Sequence, residues 1–310
     1  MCDFSQYGGP TQEWLAIETT LPAPEPMSLA ERKRVTNEGR EAVSAAEMQS
    51  LSPQLHIKDY TIQTRDSSTI QGRSYRPKDA RDNQKLPVYL HLHGGGFLFG
   101  TLASEDAACA RIALACNVVV VNINYRHTPE YTYPTAWQDV EDSFVWMHAN
   151  MNSFSGDPSA VVVGGISAGA HLTASLVLGK HLGHLAPDLP AIRGQVLMIP
   201  AVVNMNCYGQ MLAQLKDPAL SSYKENENAP IIPVNTVLKM FTDLLGVKEP
   251  RMNDLLLNPG NASTQQVKGL PPTTFGIAGL DPLRDEGLLY AKSLSEAGYV
   301  GANCRPFSTS

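Results

Sequence analysis

Residues Ala160 to Leu172 constrain this chain more than any other stretch. A β-branched run, Val161-Val162-Val163, leads into the tight turn Gly165-Ile166-Ser167-Ala168-Gly169, and Ala/Leu-rich residues at helical spacing follow. This reads as strand, elbow and helix. A turn that sharp leaves no room for side chains at its flanks, so glycine stands at 165 and 169. The serine between them is held in strained backbone geometry with its hydroxyl exposed at the top of a sheet. Gly-X-Ser-X-Gly by itself is a loose pattern, and its meaning depends on what surrounds it.

The surroundings read as an α/β chain. Residues 1 to about 55 are polar and broken by Pro10, Pro22, Pro24 and Pro26, with a helix expected from Ser28 to Met48, Leu29 capping its start and Ala42, Ala45 and Ala46 supplying propensity. Two alternating segments, Ile57–Thr64 and Thr69–Arg76, predict an antiparallel edge hairpin, and Leu86–His93 a further strand with Pro87 near its start. Ala107, Ala110 and Leu114 mark a helix, and Asn117–Asn122 a strand buried on both faces. The next helix opens at Pro134 and buries Trp137, Val140, Phe144 and Met147. Gly156-Asp157-Pro158 is expected to turn the chain into the elbow strand. Gln195–Ile199 is another buried strand, Thr273–Gly279 a late one, and Arg284–Ala297 a helix with Leu288, Ala291 and Leu294 on one face. Residues 200 to about 268 break the rhythm and read as an insertion containing one helical run, Thr236–Leu245. This order predicts a mostly parallel, twisted sheet with helices on both faces.

Composition bounds the function. The chain has 310 residues, 43% of them hydrophobic, enough for one large core in a single α/β domain. A formal net charge of -6 without any basic stripe argues against nucleic acid or an anionic membrane as partner and favours small, largely uncharged ligands. Five cysteines (Cys2, Cys109, Cys116, Cys207, Cys304) with no C-x-x-C pair argue against a disulfide framework or a zinc site, and read as reduced thiols of a cell interior. No cofactor or metal is expected. The opening residues lack the features of a signal peptide, so the expected location is intracellular, cytoplasmic by default, with the peroxisome left open. Nothing in the sequence sets an oligomeric state.

Three features fall where acyl transfer needs them. His93-Gly94-Gly95-Gly96-Phe97 follows a predicted strand, where glycines let backbone N–H groups approach a developing oxyanion; a plain flexible turn is the alternative. The N–H of Ala168 opens the elbow helix and can join those donors. Asp281, in Leu280-Asp281-Pro282-Leu283-Arg284-Asp285-Glu286-Gly287, follows a late strand, where a carboxylate can orient a histidine; it is favoured over Asp285 and Glu286, which fall in the first turn of a helix.

With Tyr125-Arg126-His127-Thr128-Pro129-Glu130, these motifs stand in an order that closely resembles the hormone-sensitive-lipase-like (GDXG-type) branch of the α/β-hydrolase fold, over about residues 55 to 298. The resemblance implies carboxylesterase or lipase-like chemistry on small acyl esters. It implies Ser167 as nucleophile, Asp281 as triad acid, the amides of Gly94, Gly95, Gly96 and Ala168 as oxyanion hole, and a cap made of the N-terminal segment (1–55) and an insertion (203–246). Gly8-Gly9-Pro10-Thr11-Gln12-Glu13-Trp14 and the Ile-Ser-Ala variant of the elbow resemble fungal members, some of which serve secondary-metabolite or toxin pathways.

The departure from the family lies after the acid. Its triad histidine stands some thirty residues beyond the acid; here none of the residues after Asp281 is histidine, and 301–310 does not read as a strand. The expectation is a chain that stops or diverges before the base, without its last strand and helix. His171, one turn after Ser167, points away from the cleft and reads as a packing residue, His93 as a structural hydrogen-bonder, and His127, His148, His181 and His184 as surface or satisfied imidazoles. Plant gibberellin receptors resemble the same family and lack a working histidine, so a ligand-binding protein on this scaffold is the rival expectation, and a truncated remnant with an exposed sheet edge a third.

Overall fold

The computed structural model describes residues 1–20, 26–81, 84–298 and the backbone of 303–306. Eight strands form one sheet in the order β1-β2-β4-β3-β5-β6-β7-β8. The strands are β1 (Leu55–Gln63), β2 (Thr69–Pro77), β3 (Leu86–Leu92), β4 (Val119–Asn124), β5 (Gly156–Ile166), β6 (Gly194–Met198), β7 (Thr273–Ile277) and β8 (Asn303–Pro306). The β1–β2 hairpin and the β2–β4 pairing are antiparallel, and every other pairing is parallel. The helices are α1 (Gln12–Glu18), α2 (Leu29–Leu51), α3 (Leu102–Cys116), α4 (Thr135–Ala149), α5 (Ala168–His181), α6 (Gly209–Leu212), α7 (Ser222–Glu225), α8 (Lys239–Leu244), α9 (Thr264–Val267) and α10 (Arg284–Glu296). Among the described residues, no helix is long and apolar enough to cross a membrane.

Burial on both faces explains the continuous apolar strands. Along β4, Val119, Val121 and Ile123 enter the larger core, which takes in residues of α4, α5 and α10, while Val120 between them enters a second core with Cys109, Ala110 and Ala113 of α3. The chain runs from β3 outward to β4 and then back across to β5, so the loops after β3 and β5 open side by side. Such a reversal is where open α/β sheets form a crevice.

Several local expectations are corrected. Ser28, not Leu29, caps α2: its hydroxyl accepts the Glu31 N–H at 3.2 Å. Asn117 belongs to the end of α3, in left-handed geometry at φ 51°, so β4 starts at Val119. Gly156-Asp157-Pro158 is the first part of β5 rather than a turn before it, with a register shift against β3 between Leu86 and Val88. The helical run of the insertion divides into a π-helical turn, Val234–Leu238, and α8. The last strand, expected to be missing, is present: Asn303–Pro306 pairs in parallel with Thr274–Ile277 of β7. Residues 299–302 and 307–310 lie outside the described residues, as does the side chain of Cys304. Cys2, Cys109, Cys116 and Cys207 are free thiols.

Candidate active site

Ser167 sits between β5 and α5 at φ 53°, ψ −114°, a region that costs an L-residue on the order of 1–3 kcal/mol and persists only where surrounding contacts impose it. Those contacts are explicit. The Ser167 N–H donates to the Met198 carbonyl at 2.8 Å, and its own carbonyl accepts the His171 N–H at 2.9 Å. A Cβ on Gly165 would lie 2.4 Å from the carbonyl carbon of Gly169, and one on Gly169 only 1.9 Å from the Leu92 oxygen. The elbow helix therefore touches the end of β3 backbone to backbone, and only glycine permits that approach.

The loop after β3 is propped from two sides. Underneath, His93 is fully buried and stacked on Tyr125 with ring centroids 4.2 Å apart. Its Nδ1 lies 3.1 Å from the Gly94 carbonyl, which can only accept, so Nδ1 carries the proton. Its bare Nε2 then accepts from Nε2–H of His127 at 3.3 Å. Burial drives both imidazoles down to about 3, so the pair is neutral. The Tyr125 hydroxyl donates to the His93 carbonyl at 2.8 Å, and the Phe97 carbonyl accepts the Thr128 N–H at 2.8 Å.

On the other side lies α2. Arg40 donates to the Gly94 carbonyl at 3.2 Å and pairs with the buried Glu105, which also meets His91 at 3.1 Å. Asn37 accepts the Gly100 N–H at 2.9 Å, Glu41 the Thr101 hydroxyl at 2.6 Å and Ser44 the Ala107 N–H at 3.0 Å. Sequence reasoning assigned no such role to Tyr125, His127 or Thr128, although their motif stood out. Nor did it single out Arg40 and Asn37; one polar helix gives no sign of what it faces.

Asp281 lies in the loop between β7 and α10, with Oδ1 accepting the Leu283 N–H at 2.8 Å. Burial raises its carboxyl to about 6. Its two acidic neighbours are engaged elsewhere: Asp285 accepts the Ser222 N–H and Arg284 Nε–H, both at 2.8 Å, and Glu286 accepts the Val202 N–H at 2.6 Å and the Tyr223 hydroxyl at 3.1 Å. Burial pushes Glu286 up to about 8.

Ser167, Gly94, Gly95, Gly96 and Asp281 all line one cavity of about 660 Å³, a volume suited to a small organic ligand. Its remaining wall is largely apolar and comes from Trp14, Met27 and Val35 of the N-terminal segment and Ile231, Met240 and Phe241 of the insertion. Phe241 lies against Gly96 (φ 61°): a Cβ there would be 2.5 Å from the ring. A second space of about 60 Å³ shares Gly96 and Ser167 with the first and includes Ala168 and His171.

Among the described residues, no histidine lines the larger cavity. His171 is wedged edge-on between Phe97 and Trp137, lowered to about 4 by burial, and its Nε2 has no partner among the described residues. His148 packs edge-on against Phe144 and is partly buried, and His56, His181 and His184 are exposed. Of the two alternatives expected for His127, solvated or satisfied, the structure shows the satisfied one, with His93 as partner.

Comparison with known proteins agrees with this architecture. Residues 89–304 match a family model described as the alpha/beta hydrolase fold. The chain is 33% identical over 253 residues to carboxylesterase NlhH of Mycobacterium tuberculosis, covering 80% of this chain and 72% of that one. It is 30% identical over 239 residues to versiconal hemiacetal acetate esterase of Dothistroma septosporum, covering 75% and 67%. The crystal structure of vibralactone cyclase superposes with a TM-score of 0.83 at 26% identity, covering 99% of this chain and 88% of the other. The chain belongs to the alpha/beta hydrolase family, in its hormone-sensitive-lipase-like branch of carboxylic ester hydrolases.

Proposed function

We propose that Ser167 is the nucleophile of this ester hydrolase, attacking the carbonyl carbon of a small ester, while the amides of Gly94, Gly95, Gly96 and Ala168 hold the resulting oxyanion and Asp281 serves as the triad acid. The observation that carries the reading is the strained elbow: Ser167 at φ 53° opens on a cavity whose wall also holds the glycine loop and Asp281. The N-terminal segment and the 203–246 insertion act as a cap, since Trp14, Met27 and Phe241 share that wall. Among curated relatives, one is named for an acetate ester of a fungal metabolite, which supports a small acyl ester, in secondary metabolism of fungal type, as the substrate class.

Among the described residues no imidazole lines the larger cavity to take the Ser167 proton, and His171, beside the smaller space, is wedged between Phe97 and Trp137. Removing the base of a Ser-His-Asp site costs about a millionfold in turnover, while oxyanion donors and binding retain roughly a thousandfold over water. The expected result with 4-nitrophenyl butyrate is therefore slow, Ser167-dependent hydrolysis that added imidazole accelerates. Ser167→Ala abolishes both the hydrolysis and the acceleration above the free-imidazole background. Equal rates for wild type and Ser167→Ala, with and without imidazole, would remove Ser167 from the role. Tight binding of an ester without any turnover would favour the ligand-binding alternative.

A further inference from the structure

We infer that the large cavity selects esters that carry an anionic group, such as a carboxylate, remote from the ester bond, and that Arg32 is the counter-charge that receives it. The inference rests on the proposed position of the ester carbonyl at Ser167 and adds a substrate class to it.

The cations of α2 provide the argument. Lys33 pairs with Glu130, Arg34 with Glu31 and Glu38, and Arg40 with Glu105. Arg32 makes no ion pair with any of the described residues, yet it is half-buried and lines the cavity. Positions 32, 36 and 40 share one face of a helix, and Arg32, Thr36 and Arg40 all line the same wall. Arg40 is committed to Glu105 and the Gly94 carbonyl. Arg32 is therefore a guanidinium without a counter-charge among the described residues, beside a hydroxyl, in a wall that is mostly apolar apart from Arg40, Ser167 and Asp281. An apolar surround weakens solvent screening and makes an unpaired guanidinium a strong receptor for a carboxylate.

Helix geometry also sets the length of the ligand. Arg40 marks the level of the glycine loop, and Arg32 lies two turns nearer the helix start, ~12 Å along the axis at 1.5 Å per residue. Ester and anion must then be separated by roughly eight bonds, allowing for the reach of the arginine side chain.

The test uses the full chain carrying Ser167→Ala, so that ligands bind without turnover, and calorimetry as readout. Monomethyl suberate is compared with dimethyl suberate, and acetoxyoctanoate with its methyl ester; the two pairs place the carboxylate on the acyl or on the alcohol side. In at least one pair the anionic ligand is expected to bind about five- to tenfold tighter than its neutral twin at low salt, less so at physiological salt. Arg32→Gln should bring that ratio to about one without changing the neutral ligand's affinity, and Arg32→Lys should restore most of it. Equal affinities within both pairs, a preference that survives Arg32→Gln, or failure of every ligand to bind would each overturn the inference. An intact preference in a protein whose wild type shows no Ser167-dependent hydrolysis would instead defeat the nucleophile assignment and leave anion selection standing.

Discussion

Two glycines in helices should respond in opposite directions to the same added methyl group. Gly39 lies in the middle of α2, exposed, with no atom within 4 Å of where a Cβ would stand. Gly39→Ala removes backbone entropy from the unfolded chain at no steric cost and should stabilise by about 0.5–1 kcal/mol. Gly169 is the second residue of α5, and its Cβ would lie 1.9 Å from the Leu92 oxygen and 2.5 Å from the His93 oxygen. Both obstacles are backbone, one of them the end of a strand paired on both sides, so no side chain can swing away. Relief requires moving the elbow from β3 by more than about 1 Å, which places Gly169→Ala at or beyond the upper end of overpacking costs, about 3 kcal/mol. For a chain of this size that lowers the melting midpoint by roughly 5 °C, while Gly39→Ala raises it by about 1 °C. Paired thermal and urea melts measure both. A Gly169→Ala protein as stable as wild type would refute the claim that backbone contact with β3 fixes the elbow.

Further outcomes follow from buried charge. Glu286 ordinarily titrates near 4.5, and burial raises it to about 8 in the folded protein. Between those values the unfolded chain binds fewer protons than the folded one, so this group lowers stability progressively as pH rises from about 4.5 to about 8 and adds nothing below. Glu286→Gln keeps an acceptor for the Val202 N–H and should gain on wild type across that window in melts at successive pH values; a gain that grew toward acid would contradict the assignment. Arg40→Met leaves Glu105 with His91 alone and removes one of two donors to the Gly94 carbonyl, leaving it with His93 Nδ1–H. With Arg40 a third exposed, the expected loss is about 2 kcal/mol, measured by denaturation, with a fall in Ser167-dependent hydrolysis. Unchanged stability would mean that Arg40 and Glu105 do not hold the loop.

What the sequence disclosed depended on how local each signal was. The elbow was legible because strand, turn and helix are each local patterns, and Gly165 and Gly169 mark the close approach in the chain itself. The larger core was legible through period, as in Trp137, Val140, Phe144 and Met147. Two kinds of feature were not. The Asn303–Pro306 strand has neither β-branched residues nor alternation, and contains a proline; its existence rests on pairing with β7 at the sheet edge, where a missing donor is tolerated. The split of the 236–245 run into a π-turn and a short α-helix depends on which carbonyl each N–H finds, and that choice leaves the apolar spacing unchanged. At the candidate site, Ser167, Asp281 and the glycine loop stood out, whereas Arg40, Asn37 and His127 act through partners distant in sequence.

The docking of α2 sets an order of events in folding. This 23-residue helix has a single buried residue, Ser44, and is held to the glycine loop and the start of α3 by polar bonds to Gly94, Gly100, Thr101 and Ala107, 54 to 63 positions downstream. Beyond Met48 and Leu51 at its C-terminal end, which pack on the second core, hydrophobic collapse has little to grip on this helix, and a polar bond rewards docking only when its partner is already in place. During synthesis α2 emerges before β3 and α3 and must wait, solvated, until they have formed the surface that receives it. The cavity is thus closed in part by a helix made before the loop it closes on, and docked after it.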